Sequence, residues 1–205
     1  RATTIFQYDD DAKVYLEREL GLERANVLMG SAVAVWRWES RFFRPLQKEE
    51  FRVSLSPSGR VIGYWHGVEE KAAGANLERA GAQPTAERLL ASLGVPLAEY
   101  ALIEGTTNKR DNRTAHTFTW ERNGFKAKEA TYRLSVTVQG ERADGYREFL
   151  KIPEAWERDY QTLRSKNELM QTVANVAFIA LGIALVVVLL MELRRKQVAW
   201  RFGLS

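Results

Sequence analysis

Cysteine is absent from this 205-residue chain, histidine occurs twice and methionine three times. With no cysteine there is no disulfide framework, no thiolate nucleophile and no cysteine-ligated zinc or iron–sulfur centre. His66 and His116 each lack a second histidine at ligand spacing. A metal site would need distant segments to converge, so both read as strand histidines within an aromatic face. No nucleophile elbow, phosphate-binding glycine loop or zincin motif occurs. The acidic pairs Glu49-Glu50 and Glu69-Glu70 have no suitably spaced Arg or His and read as solvated charge. Neither a catalytic group nor a cofactor site is expected in these residues.

A one-signed charge excess is missing too. The net charge is +4, but residues 173–205 hold four cations and one carboxylate, which leaves +1 for residues 1–172. Lys and Arg there alternate with Asp and Glu, which argues against nucleic acid as a partner. Long apolar runs are rare, with one exception. Residues 173–191 form nineteen consecutive positions without a charge. As a helix this run spans about 28 Å, which matches a bilayer core of about 30 Å and predicts a transmembrane helix with the lipid bilayer as partner. Four Lys or Arg follow it within fourteen residues, against three (Arg158, Arg164, Lys166) in the twenty before it. The positive-inside rule then sets residues 192–205 in the cytoplasm as a juxtamembrane tail and residues 1–172 outside a bacterial cytoplasmic membrane. With no initiator Met before Arg1 and Ser205 following Trp200 so closely, further sequence is expected on both sides.

Self-comparison finds a repeat. FRVSLSPSG at 51–59 matches YRLSVTVQG at 132–140, Trp38-Glu39 matches Trp120-Glu121, and Leu20-Gly21-Leu22 matches Leu93-Gly94-Val95, all in the same order. Each copy opens with a helix. In the first, Ala12, Leu16 and Leu20 fall four apart and stop at Gly21; in the second, Pro84 opens a helix through Ala86, Leu89, Leu90 and Leu93 that stops at Gly94. Period-two strands follow, at 51–55 and 60–66 and again at 132–138, each preceded by one more strand, at 33–43 and 114–122. The fold class is α+β, two helix-plus-antiparallel-sheet units in tandem. The first unit covers 1–70, a connector 71–83 and the second unit 84–152. After Pro153, a stalk helix over 153–172 carries Trp156, Tyr160, Leu163 and Met170 at helical spacings and leads into the apolar run. Residues 106–112 read as a loop. Trp36, Trp38, Trp65, His66, His116 and Trp120 crowd the predicted strands and form the candidate ligand or partner surface, whether as a peptide groove or a sheet edge.

Each unit resembles a PepSY-like or half-cystatin module. A wider resemblance rests on RFFR at 41–44, FRVSLSPSGRVIGY at 51–64, GANL at 74–77, YALIE at 100–104, RTAHTFTWE at 113–121, FLKIPEAW at 149–156 and RSKN at 164–167. Together these resemble the extracytoplasmic N-terminal region of some bacterial CPBP-family intramembrane proteases, relatives of the CAAX proteases. The resemblance implies a non-catalytic regulatory or substrate-gating module, with a downstream membrane domain and a peptide or protein substrate as partners. Ala115 stands where such regions often have an acidic residue before the histidine, and the family's Glu-Glu-x-x-x-Arg signature has no match in this chain. A stand-alone membrane-anchored envelope binding protein or sensor is the alternative expectation.

Overall fold

The computed structural model describes residues 1–69 and 71–194, in two compact units divided after Pro153. The first unit, the head, contains β1 (Ala2–Tyr8), α1 (Asp10–Leu20), α2 (Leu22–Ser31), β2 (Trp36–Phe43), β3 (Glu50–Leu55), β4 (Val61–Gly67), α3 (Arg79–Ser92), β5 (Tyr100–Lys109), β6 (Thr114–Arg122), β7 (Thr131–Gln139) and β8 (Arg142–Lys151). The second unit is α4 (Glu154–Arg194). The fold is α+β, as the sequence pattern implies.

All eight strands form one antiparallel sheet in the order β1-β2-β3-β4-β8-β7-β6-β5. The sequence reading gives each copy its own sheet, whereas here the last strand of each half pairs with the other. Tyr64 faces Tyr146 across this seam, with Gly63 opposite Arg147 and Trp65 opposite Gly145. Each half therefore uses the other to satisfy what would have been an open strand edge. β3 and β7, which carry the matched nine-residue strings, lie one strand out from the seam on either side.

Side chains alternate across a strand, so the register sorts the sheet into two faces. One face holds Phe118, Trp120, Leu134, Val136, Val138 and Tyr146, and α3 packs on it through Ala82, Ala86 and Leu90, all buried. Three small or branched contacts one turn apart let the helix lie close to the strands. α3 begins at Arg79, inside the expected connector, and Pro84 sits in its second turn rather than at its start. There it cannot supply the N–H that the Ala80 carbonyl takes in a regular helix.

Among the elements without a stated sequence expectation, β1 and α2 shape the first half. β1 precedes the first helix, and α2 follows α1 directly across Gly21, whose φ of 77° suits glycine. Asp9 caps α1 by accepting from the Ala12 N–H at 3.0 Å. α1 is held to the second half by Tyr15, whose hydroxyl donates to the Ala127 carbonyl at 3.1 Å and accepts from the Ala130 N–H at 3.2 Å. Ala127 and Ala130 are small enough for the phenol to reach their backbone. The segment at 106–112 is corrected in part, because β5 continues through Lys109 before the chain turns.

α4 runs without interruption for 41 residues, and its apolar side chains are exposed, Phe178 at 73% and Leu185 at 62%. In length and composition it is compatible with a membrane anchor. Arg195, Lys196 and Arg201 of the expected tail lie outside the described residues.

Candidate functional site

Pairing of β1 with β2 sets Phe6 opposite Trp38 and Tyr8 opposite Trp36. The rings meet: Phe6 and Trp38 have centroids 4.8 Å apart, Tyr8 and Trp36 5.4 Å, and Phe6 stacks parallel to Trp36 at 6.1 Å. By register this cluster belongs to the sheet face that carries α3, but on the other half of the sheet. Phe6, Tyr8, Trp38 and Phe42 each keep about half their surface in solvent. A contiguous exposed aromatic surface is uncommon on a soluble domain and marks a contact face. Of the residues singled out from sequence, Trp36 and Trp38 are brought together here. Phe6 and Tyr8 were missed, because nothing in the alternation of β1 signals which strand it pairs with.

β1 is also a sheet edge. Arg1 and Phe43 exchange backbone bonds of 2.8 and 3.0 Å, which makes the odd-numbered residues of β1 the ones bonded to β2. The N–H and C=O groups of Thr4 and Phe6 therefore point away from the sheet, beside the aromatic cluster.

The row continues along the same face through Phe42, Phe51 and His66. His66 is 2% exposed, lies flat on Phe51 at 4.2 Å, and has a carboxylate at each nitrogen: Asp144 at 3.0 Å from Nδ1 and Glu49 at 2.8 Å from Nε2. His66 is thus a strand histidine on an aromatic face, as its sequence suggests, while Glu49, read as solvated charge, is 58% exposed yet pairs with it. Glu50 is corrected as well: it is 9% exposed and bridges Arg41 and Arg52. Hydrogen bonds from those two guanidinium groups hold its carboxyl below the usual value. Glu69 stands 3.5 Å from Lys48, and Glu70 lies outside the described residues. A cavity of about 590 Å3 between Arg1, Phe42, Arg44, Glu49 and Phe51 adjoins this end of the row.

The remaining candidates lie elsewhere. His116 is buried, bonded through Nε2 to the Leu77 carbonyl at 2.8 Å and through Nδ1 to the Thr107 hydroxyl at 3.0 Å. The carbonyl needs a donor, so Nε2 carries a proton. Trp120 is buried beneath α3. Trp65 occupies the opposite sheet face, with the Arg52 guanidinium 5.0 Å from its ring centroid. His116 and Trp120 serve packing, Trp65 is 44% exposed, and none of the three joins Trp36 and Trp38 in one surface.

Near the seam, Glu148 has only 2% of its side chain exposed and is matched by Arg60 through both guanidinium nitrogens and by the phenols of Tyr132 (2.7 Å) and Tyr146. Tyr132 also accepts from the Ala34 N–H at 3.3 Å, which ties the segment leading into β2 to β7. Burial first, and then the Glu148 charge, push both phenols well above the ordinary tyrosine value. Every polar group in this knot has a partner, so it holds the halves together and offers no free acid or base.

Among the described residues no group of three or more His, Asp or Glu side chains is arranged to hold a metal ion. Comparison with protein-family models, with curated proteins and with solved structures gives no match.

Proposed function

We propose that this chain is the non-catalytic extracytoplasmic head and first membrane helix of a larger membrane protein of the CPBP intramembrane-protease kind. The head regulates access of a peptide or protein substrate to a catalytic part elsewhere in that protein. The observation that carries this reading is the cluster of Phe6, Tyr8 and Trp38, each about half exposed, packed with Trp36 beside an unpaired strand edge. An extended apolar peptide added to β1 gains backbone hydrogen bonds from Thr4 and Phe6, and its alternate side chains rest on the aromatic rings. The two-fold pattern of strand order about the β4–β8 seam supports an origin from two fused PepSY-like units. The long helix α4 supports a link to the bilayer, and the Lys and Arg that follow the apolar run in sequence support a cytoplasmic tail.

The test uses the full-length protein in native membranes. Binding of an apolar fluorescent peptide and cleavage of a membrane-spanning reporter are followed for the parent and for Trp36→Ser/Trp38→Ser. The reading expects peptide affinity to fall at least tenfold and cleavage to fall with it. Peptide binding that depends on both tryptophans in the absence of any proteolysis turns the reading to the alternative, a membrane-anchored envelope binding protein. Undiminished binding in the double variant removes the aromatic cluster as the site.

A further inference from the structure

The sheet face opposite α3 is polar, and at its centre two small residues leave a depression. One row across the strands runs Glu39, Ser54, Gly63, Arg147, Ser135. Ser54 and Gly63 form its floor; a Cβ on Gly63 would meet the Ser54 side chain at 3.1 Å. Larger side chains stand around this floor, with Trp65 and Arg52 in the row above and Phe149 and Arg37 in the row below. The cavity is about 410 Å3, within the range of small-molecule sites.

Its charges are unevenly matched. Arg52 is paired with Glu50. Arg147 makes no ion pair among the described residues; its Nε reaches the Ser135 hydroxyl at 3.4 Å and its guanidinium lies over Phe149 at 4.5 Å. Arg37 likewise has only a neutral partner, Gln7 at 3.3 Å. Both guanidinium groups retain free donors at one depression; of the carboxylates that line it, Asp9 caps α1 and Glu148 is matched by Arg60, which leaves Glu39 in the row between them. β2 and β8 are three strand spacings apart, about 14 Å, so one compact ion does not span from Arg37 to Arg147. An elongated ligand does, with an anion at one end and a donor for Glu39 further along.

We propose that this depression binds a phosphodiester headgroup, its phosphate on the Arg147 guanidinium and a hydroxyl or ammonium substituent on Glu39. Guanidinium groups match phosphate oxygens bidentately and stack on rings, as Arg147 already does on Phe149. The site is on the opposite face from the aromatic cluster and stands independently of it. Either a lipid or a soluble phosphoester presents this chemistry.

The test is calorimetric titration of the full chain in maltoside micelles, which carry no phosphate, with three probes: inorganic phosphate, glycerophosphoethanolamine and a short-chain phosphatidylethanolamine. Saturable binding of at least one probe is expected, weakened tenfold or more in Arg147→Gln and abolished in Ser54→Phe, which fills the floor. Glu39→Gln is expected to weaken glycerophosphoethanolamine but not inorganic phosphate. Comparable affinity for the soluble ester and the short-chain lipid identifies a headgroup site open to either source, and binding of the lipid alone identifies the membrane. Circular dichroism and the thermal midpoint verify that each variant folds. No saturable binding of any probe, or affinities unchanged in Arg37→Gln/Arg147→Gln, overturns the proposal.

Discussion

Glu148 is a carboxylate almost wholly withdrawn from water, and it persists because Arg60, Tyr132 and Tyr146 supply charge and donors at once. A buried ion of this sort is tolerated when its oxygens are fully matched, and removing one partner is costly. Tyr132→Phe removes the bonds to Glu148 and Ala34 together and is expected to destabilise the head by about 1–3 kcal/mol, read from urea unfolding. The raised phenols have a consequence in alkali. A group whose folded pKa exceeds its unfolded one contributes stability that is intact below about pH 10, the unfolded tyrosine value, and is lost as pH rises past it. Absorbance at 295 nm should therefore show Tyr132 and Tyr146 ionising only as the head unfolds; their titration in the folded head near pH 10 would contradict the arrangement. Glu50 gives the opposite sign, since its folded pKa is lowered. Its contribution is present above about pH 4.5 and disappears as pH falls through the lowered value, so Glu50→Gln is expected to flatten the acid limb of the stability profile. An unchanged acid limb would mean that Arg41 and Arg52 contribute little through it.

At the scale of elements, β1 and α3 do contrasting work. α3 covers one half of a sheet face, and Phe118 beneath it is 1% exposed. Phe118→Ala leaves a cavity there and is expected to cost about 3–5 kcal/mol in equilibrium unfolding. On the other half, β1 leaves its aromatic side chains in solvent and its outer backbone unpaired. Thr4→Pro removes an outward N–H while sparing the bonds to β2, so the fold should survive with peptide affinity reduced several-fold; a variant that binds as the parent does would argue against edge pairing. How far these elements were legible depends on how local their signals are. β6 matched its expected span because His116, Phe118 and Trp120 alternate over nine residues, and β7 did so through Leu134, Val136 and Val138. β1 and α2 were not seen, since β1 alternates without a polar face and α2 has a mixed periphery that only Ala25 and Met29 bury. Trp36 and Trp38 were legible as a candidate surface by residue type alone. The partners of His66 were not, because they lie 17 and 78 residues away and meet it only through sheet pairing.

At the scale of the whole molecule, a polar head of one continuous sheet is followed by a helix whose apolar run has its side chains exposed along its length. Water would impose a large cost on that surface, of order 1.5–3 kcal/mol for each Val, Leu, Ile or Phe side chain left uncovered, which lipid removes. The account therefore rests on the 173–191 run lying in a bilayer with the head on its outer side. The chain's lack of cysteine makes this directly measurable. Single cysteines at Ser56, in the turn between β3 and β4, and at Ser205 are labelled in intact bacteria with a membrane-impermeant maleimide. The account predicts labelling at position 56 in intact cells and at position 205 only after lysis. Protection of position 56 until lysis, or a full-length chain recovered monomeric in the soluble fraction without detergent, would contradict it.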